Sequence, residues 1–309
     1  MMKNILISGG TGLVGKELTA VLLERGYDVV ILTRSKTIQS NNPRIKYAHW
    51  NIENRYIDPN ALHDVDAIIH LAGAGVVEKR WSDSYKKEIE MSRTESSAIL
   101  MNALSTHEHN VKTFISTSAI GWYGPDSIVG KPFSEDAPAN EDFLGKTCKA
   151  WEESVYPCKN MGIRLCIVRT GIVLSKNGGA LKEFLKPIKM GVAAILGNGK
   201  QIISWIHIRD LCNLYIHLME KENLNGVFNG VAPTPVSNKN LTISLASCIR
   251  KTFFIPIHVP AFMLKIIMGE SSIEVLKSTT VDAKKISASG FTFIYPTLMP
   301  ALREITSRA

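Results

Sequence analysis

Short, wholly apolar runs alternate with segments of helical spacing through the first half of the chain. Residues 3–8, 28–33, 45–48 and 66–71 read as buried strands, followed by 111–118 and 164–168. Between them, Leu13, Leu18, Val21 and Leu22 recur at helical spacing over 13–24, and Gly26 supplies a stop. Longer helices are predicted over 84–104 and 143–159. Repeated βα units of this length predict a doubly wound α/β fold, a parallel sheet with helices on both faces. Beyond about Thr170 the alternation loosens, and helices at 210–221, 241–251 and 260–268 lack regular partner strands. The reading is a Rossmann-type domain over 1–170 and a smaller mixed α/β lobe over 171–309. No repeats, low-complexity tract or polar linker intervene, so the lobes should pack closely.

The first strand runs into Gly9-Gly10-Thr11-Gly12-Leu13-Val14-Gly15. Gly9 suits a tight turn off the strand, Gly12 lets backbone approach a pyrophosphate, and Gly15 lets the helix sit close on the sheet. The backbone N–H groups over Thr11, Leu13 and Val14, at a helix start, attract phosphate. A glycine motif alone is weak, but this one leaves a strand, opens a helix and begins a βαβ unit. The end of the second strand selects the cofactor. An acid there would bind a ribose 2′-hydroxyl, whereas an arginine accommodates a 2′-phosphate. The chain reads Thr33-Arg34-Ser35 with no acid nearby, which points to NADP(H).

Composition narrows the partners. No apolar run approaches the ~18 residues of a membrane span, so no membrane insertion is expected. The N-terminus lacks a signal-peptide pattern, which suggests a cytoplasmic protein. Five cysteines, Cys148, Cys158, Cys166, Cys212 and Cys248, form no C-x-x-C pair, which argues against a disulfide framework or a metal site. The net charge of +8 comes from basic residues scattered along the sequence. Around Lys86 and Lys87 they alternate with Glu88 and Glu90, a solvated surface rather than a nucleic-acid stripe, so no nucleic acid is expected.

Several tracts together resemble the atypical "epimerase family protein" group of the extended short-chain dehydrogenase/reductases. They include Ile69-His70-Leu71-Ala72-Gly73, Lys79-Arg80-Trp81, Trp122-Tyr123-Gly124, Trp151-Glu152, Arg169-Thr170-Gly171, Ser204-Trp205-Ile206-His207 and Gly290-Phe291. Members end in a domain of unknown function, here about 250–300, and some carry cell-division or giant-chloroplast labels. One departure is Thr279-Thr280-Val281-Asp282-Ala283, where the group has Gln-Arg-Val-x-Pro. The resemblance implies that Thr33 and Arg34 hold the adenosine end and that Leu71, Ala72 and Gly73 pass beneath the cofactor. It also implies that Glu88 and Arg93 face the dinucleotide. Relatives in the superfamily often dimerise by pairing two long helices, here 84–104 and 143–159.

The chemistry is less complete. The superfamily uses Ser, Tyr and Lys, the last two spaced Y-x-x-x-K on one helix, with the phenol relaying a proton as hydride moves. Ser118 fits the serine. Aligning on Trp151-Glu152-Glu153 puts Gly145 at the tyrosine and Lys149 at the lysine. Tyr123, His207 or Asp210 could substitute as donor, although packing roles suit Tyr123 and His207 better; Cys148 shows no sign of activation. A glycine at 145 predicts a void walled by Ser118 and Lys149. Two readings follow: an NADP(H)-dependent oxidoreductase or epimerase-like enzyme acting on a small molecule, or a catalytically silent NADPH-binding sensor or scaffold.

Overall fold

The computed structural model describes residues 2–128, 130–250 and 253–307. An eight-stranded sheet forms its centre. β1 (Asn4–Ser8), β2 (Asp28–Thr33), β3 (Ile45–Asn51), β4 (Tyr56–Ile57), β5 (Ala67–His70), β6 (Thr113–Ala119) and β7 (Arg164–Thr170) come from the first half. The connecting helices are α1 (Leu13–Glu24), α2 (Asp83–Thr106), α3 (Phe143–Ser154) and α4 (Pro157–Asn160). The expected helix over 143–159 is broken because Pro157 has no N–H to continue the ladder. Ser82 caps α2 by accepting from the Tyr85 N–H at 3.2 Å.

The second half supplies β8 (Ile172–Leu174), α5 (Ala180–Lys189), β9 (Val192–Leu196), β10 (Ile202–Ile203), β11 (Trp205–His207), α6 (Ile208–Glu220), β12 (Gly226–Gly230), β13 (Val236–Ser237) and α7 (Asn238–Arg250). β14 (Ile255–Val259), α8 (Ala261–Met268), α9 (Ser272–Leu276), α10 (Lys284–Ala288) and α11 (Leu298–Thr306) follow. The expected helix end at Lys251 lies outside the described residues.

Sheet order is β12-β7-β6-β5-β1-β2-β3-β4, parallel except for the β3–β4 pair. The order reverses at β1, where a doubly wound sheet opens a crevice at the carboxyl ends of its strands. Because strand side chains alternate, Ile5 and Ile7 point into one core with Leu18, Leu22, Leu211 and Tyr215 of α1 and α6. Leu6 points into the other, with Ile99, Leu100 and Leu104 of α2. A third core joins Leu181, Ile188, Leu241, Leu245 and Leu302 of α5, α7 and α11. After Thr170 the chain therefore builds a lobe of its own and also returns α6 and β12 to the large sheet.

Candidate functional site

The glycine loop occupies the crevice beside β1. Gly9 has φ +70, and a Cβ there would lie 2.9 Å from the Leu71 carbonyl carbon. A Cβ on Gly15 would lie 2.3 Å from the Gly9 oxygen, so these two glycines are required by the protein's own packing. Gly12 differs. It is exposed, and a Cβ there would meet just the Gly9 oxygen at 3.2 Å, with the rest of its space open. No side chain caps α1, so its first N–H groups, with Thr11, Leu13 and Val14 around them, form an anion cradle. The loop before α5 lies over it: a Cβ on Gly179 would sit 3.1 Å from Leu13.

A histidine whose role the sequence did not disclose fixes the floor of the crevice. His70 is fully buried, its Nδ1 bonded to the Ser8 hydroxyl and its Nε2 to Ser97 at 3.1 Å. The Ser8 oxygen accepts from the Leu71 and Ala72 N–H groups at 3.1 and 3.3 Å. Burial pushes His70 down to about 3, so the ring is neutral at any working pH. The segment Leu71-Ala72-Gly73 is thereby held where a dinucleotide would cross the sheet. Arg93 lies against it: a Cβ on Gly73 would come 3.2 Å from the guanidinium carbon. The guanidinium donates to the Ile89 carbonyl at 2.7 Å and stacks over Trp151 at 4.8 Å. Burial lowers its pKa.

Glu88 is half exposed on α2 and pairs with Lys79 at 3.3 Å. Thr33 is buried at the end of β2, its hydroxyl accepting from the Ser35 N–H at 3.2 Å, and Arg34 projects into solvent beyond it.

The two residues read as catalytic sit in different surroundings. Ser118 is buried and donates to Glu152 at 2.8 Å. Arg169 grips the same carboxylate through Nε at 2.8 Å and Nη2 at 3.0 Å, and its guanidinium stacks on Trp122 at 3.6 Å. Lys149 is exposed on α3. The expected void at Gly145 is absent. A Cβ there would lie 2.1 Å from the Asn140 oxygen, because the Asn140 backbone packs directly against Gly145. The Gly145 N–H is the one capped by Asp142, at 2.7 Å.

The substitute donors are equally committed to structure. Tyr123 donates to Asn229 at 2.6 Å, stacks on Phe133, and is pushed up to about 12 by burial. His207 caps α6 by accepting from the Arg209 N–H at 3.1 Å and bonds Glu304 at 2.9 Å. Asp210 accepts from the Ile294 and Tyr295 N–H groups. Burial raises Cys148 to about 12, a thiol and not a thiolate.

The rim of the crevice joins both halves of the chain. Trp81 and Phe143 meet edge-on at 5.0 Å, with the Lys86 ammonium over both rings. Lys86 also pairs with Glu270 at 2.6 Å, just after α8, and Gly269 packs on Arg80.

A parallel sheet with its order reversing at β1, a bare helix start and a glycine cradle define a Rossmann-type protein of the short-chain dehydrogenase/reductase kind. The chain belongs to the NAD dependent epimerase/dehydratase family, which matches residues 5–229; residues 259–305 match the domain of unknown function DUF1731. An epimerase family protein of Staphylococcus saprophyticus is 34% identical over 98% of this chain and 99% of its own. One from Mycobacterium bovis is 32% identical over 98% of each. Among solved structures, the human epimerase family protein SDR39U1 with NADPH superposes with a TM-score of 0.84 at 28% identity, covering 98% of this chain and 99% of that one. UDP-glucuronic acid 4-epimerase of Bacillus cereus shares the fold, with a TM-score of 0.79 at 22% identity over 98% of each chain. Among the described residues no helix is long and apolar enough to cross a membrane.

Proposed function

We propose that this protein binds NADP(H) across Gly12, Leu13 and Val14, with Gly73 beneath the cofactor and Arg34 on the 2′-phosphate. It acts on a small molecule as an oxidoreductase or epimerase-like enzyme. The observation that carries the reading is Gly12: alone among the cradle glycines its missing side chain opens onto free space, the room a pyrophosphate needs. The human relative crystallised with NADPH supports the choice of cofactor. Bound there, the nicotinamide supplies or accepts hydride. Arg93, with its one hydrogen-bond acceptor among the described residues being the Ile89 carbonyl, can offer further N–H groups to an anionic or carbonyl group lying on Gly73.

Titration calorimetry tests the cofactor assignment. NADPH should bind more tightly than NADH by about 1–3 kcal/mol, and Arg34→Ala should erase most of that difference while sparing NADH. Equal affinities in the unaltered protein overturn it. A second reading, a sensor in which NADPH binds without turnover, is favoured by one observation: the Ser118 hydroxyl is spent on Glu152. Turnover of NADPH with a panel of carbonyl compounds and sugar nucleotides supports the enzyme; saturable binding with no turnover supports the sensor.

A further inference from the structure

The C-terminal lobe combines two features that its sequence pattern disperses. The first is charge. Residues 171–309 hold 16 Lys and Arg against 8 Asp and Glu, whereas residues 1–170 hold 20 of each, so the whole net charge of +8 sits on one lobe.

The second is an uncovered apolar surface on that same lobe. In helix α8, Leu264 is buried, while Phe262, Ile266 and Ile267 expose 64%, 68% and 64% of their surface. Phe262 and Ile266 stand one turn apart on one face, as do Met263 and Ile267. The strand leading into α8 is apolar and exposed as well. β14 pairs in parallel with β9, and the register sets Ile255, Ile257 and Val259 on the same face as Val192, Ala194 and Leu196. That face is apolar at all six positions, and Ile255 and Ile257 are exposed. At its near end Phe253 is 67% exposed and Met190 79%. Arg250 bonds the Phe253 carbonyl there at 3.4 Å and reaches the Lys189 carbonyl at 3.5 Å, and Lys265 rises from the middle of α8. Apolar surface of this extent marks an interaction site.

We propose that this face of the C-terminal lobe docks on the surface of an anionic lipid bilayer, with α8 lying in the headgroup region. An apolar helix face beside lysine and arginine is what such a surface recognises, through buried apolar area and attraction to anionic headgroups together. A second copy of the chain is a poorer occupant, since self-pairing would bring two lobes of charge +8 together. The faces expected to dimerise are different in kind: the outer positions of α2 and α3 include Lys87, Glu88, Glu90, Lys146, Lys149 and Glu153. Docking through α8 has a geometric consequence. Gly269, at its end, packs on Arg80, and Glu270 pairs with Lys86 at the rim of the nucleotide crevice. The mouth of that crevice would lie close to the lipid.

Co-sedimentation of the purified full chain with vesicles tests this. Vesicles of phosphatidylcholine with 30% phosphatidylglycerol should retain the protein, pure phosphatidylcholine should retain far less, and raised salt should release it. Phe262→Ser with Ile266→Ser should weaken binding about tenfold or more. Lys265→Gln should weaken it about fivefold. Thermal melts unchanged from the parent establish that these surface variants are folded. Equal retention on neutral and anionic vesicles, or no retention on either, overturns the proposal. So does a concentration-dependent dimer in sedimentation velocity that the Phe262/Ile266 pair abolishes, since the second copy is then the occupant.

Discussion

Glu152 is sealed from solvent, and three donors converge on it: the Ser118 hydroxyl and two nitrogens of Arg169. A buried carboxylate is tolerable only with such partners, and the partners are costly to remove one at a time. Glu152→Gln should therefore destabilise by about 3–5 kcal/mol, because it leaves Arg169 buried without its counter-charge. Ser118→Ala removes a single hydrogen bond from a carboxylate that keeps Arg169, and should cost about 1–2 kcal/mol. Urea denaturation measures both. If Ser118→Ala leaves stability unchanged yet abolishes turnover of a substrate, the hydroxyl is catalytic after all. The cradle glycines separate in the same way. Gly12→Val should melt like the parent and lose the thermal shift that NADPH gives, about 2.7 kcal/mol of stabilisation at a hundredfold excess over Kd. Gly15→Val should fail to fold, its side chain falling on the Gly9 and Gly10 backbone. A Gly12→Val protein that keeps the full NADPH shift would place the phosphates elsewhere.

Strands β1 and β5 and helix α2 meet at His70, through Ser8, Ser96 and Ser97. Its ring titrates near 6.5 in the unfolded chain and is held down to about 3 in the fold by burial. The unfolded state then binds a proton that the native state refuses. The contribution to stability is complete above about pH 6.5 and is lost as the pH falls toward 3, with a slope of about 1.4 kcal/mol per pH unit. His70→Gln should lower stability at neutral pH and flatten that acid limb, which denaturation at pH 7, 5.5 and 4.5 would measure. An unchanged slope in the variant would mean His70 is charged when folded. The elements themselves were legible because buried parallel strands and amphipathic helices have different periods. Breaks were harder: 143–159 reads as one helix until Pro157 is weighed as a breaker. The site was legible where it is backbone, in Gly9, Gly12 and Gly15. It was illegible where side chains pair across the sheet, since Ser118, Glu152 and Arg169 lie far apart in sequence and a motif cannot show that they satisfy one another. Gly145 was misread for the same reason, because absence of a side chain reads as space until Asn140 is seen to fill it.

At the scale of the whole molecule, the loosened alternation beyond Thr170 suggests two bodies, but the chain crosses between them. α6 packs with α1 on one face of the large sheet, where Leu211, Leu214 and Leu218 are fully buried and Tyr215 nearly so. β12 covers the edge of β7 over five registered pairs, from Gly226 opposite Cys166 to Gly230 opposite Thr170. Further along, Thr280 donates to Asp126 at 2.6 Å and Val281 bridges to Phe133, tying the end of the chain to the loops above β6. A sequence read by periodicity cannot reveal this, because a returning helix and strand carry the same local pattern wherever they dock. The nucleotide-binding half should therefore be unable to fold by itself. Removing residues 171–309 bares the sheet under those four α6 side chains, a loss of about 6–12 kcal/mol from their burial alone. That is as large as the net stability of a typical domain, about 5–15 kcal/mol. It also leaves β7 as an open edge, ready to pair with another chain. Residues 1–170 expressed alone should aggregate, or show no cooperative melt and no NADPH-dependent shift, while the full chain melts in one transition. A soluble 1–170 fragment that melts cooperatively and binds NADPH would show that α6 and β12 are accessories to a domain complete without them.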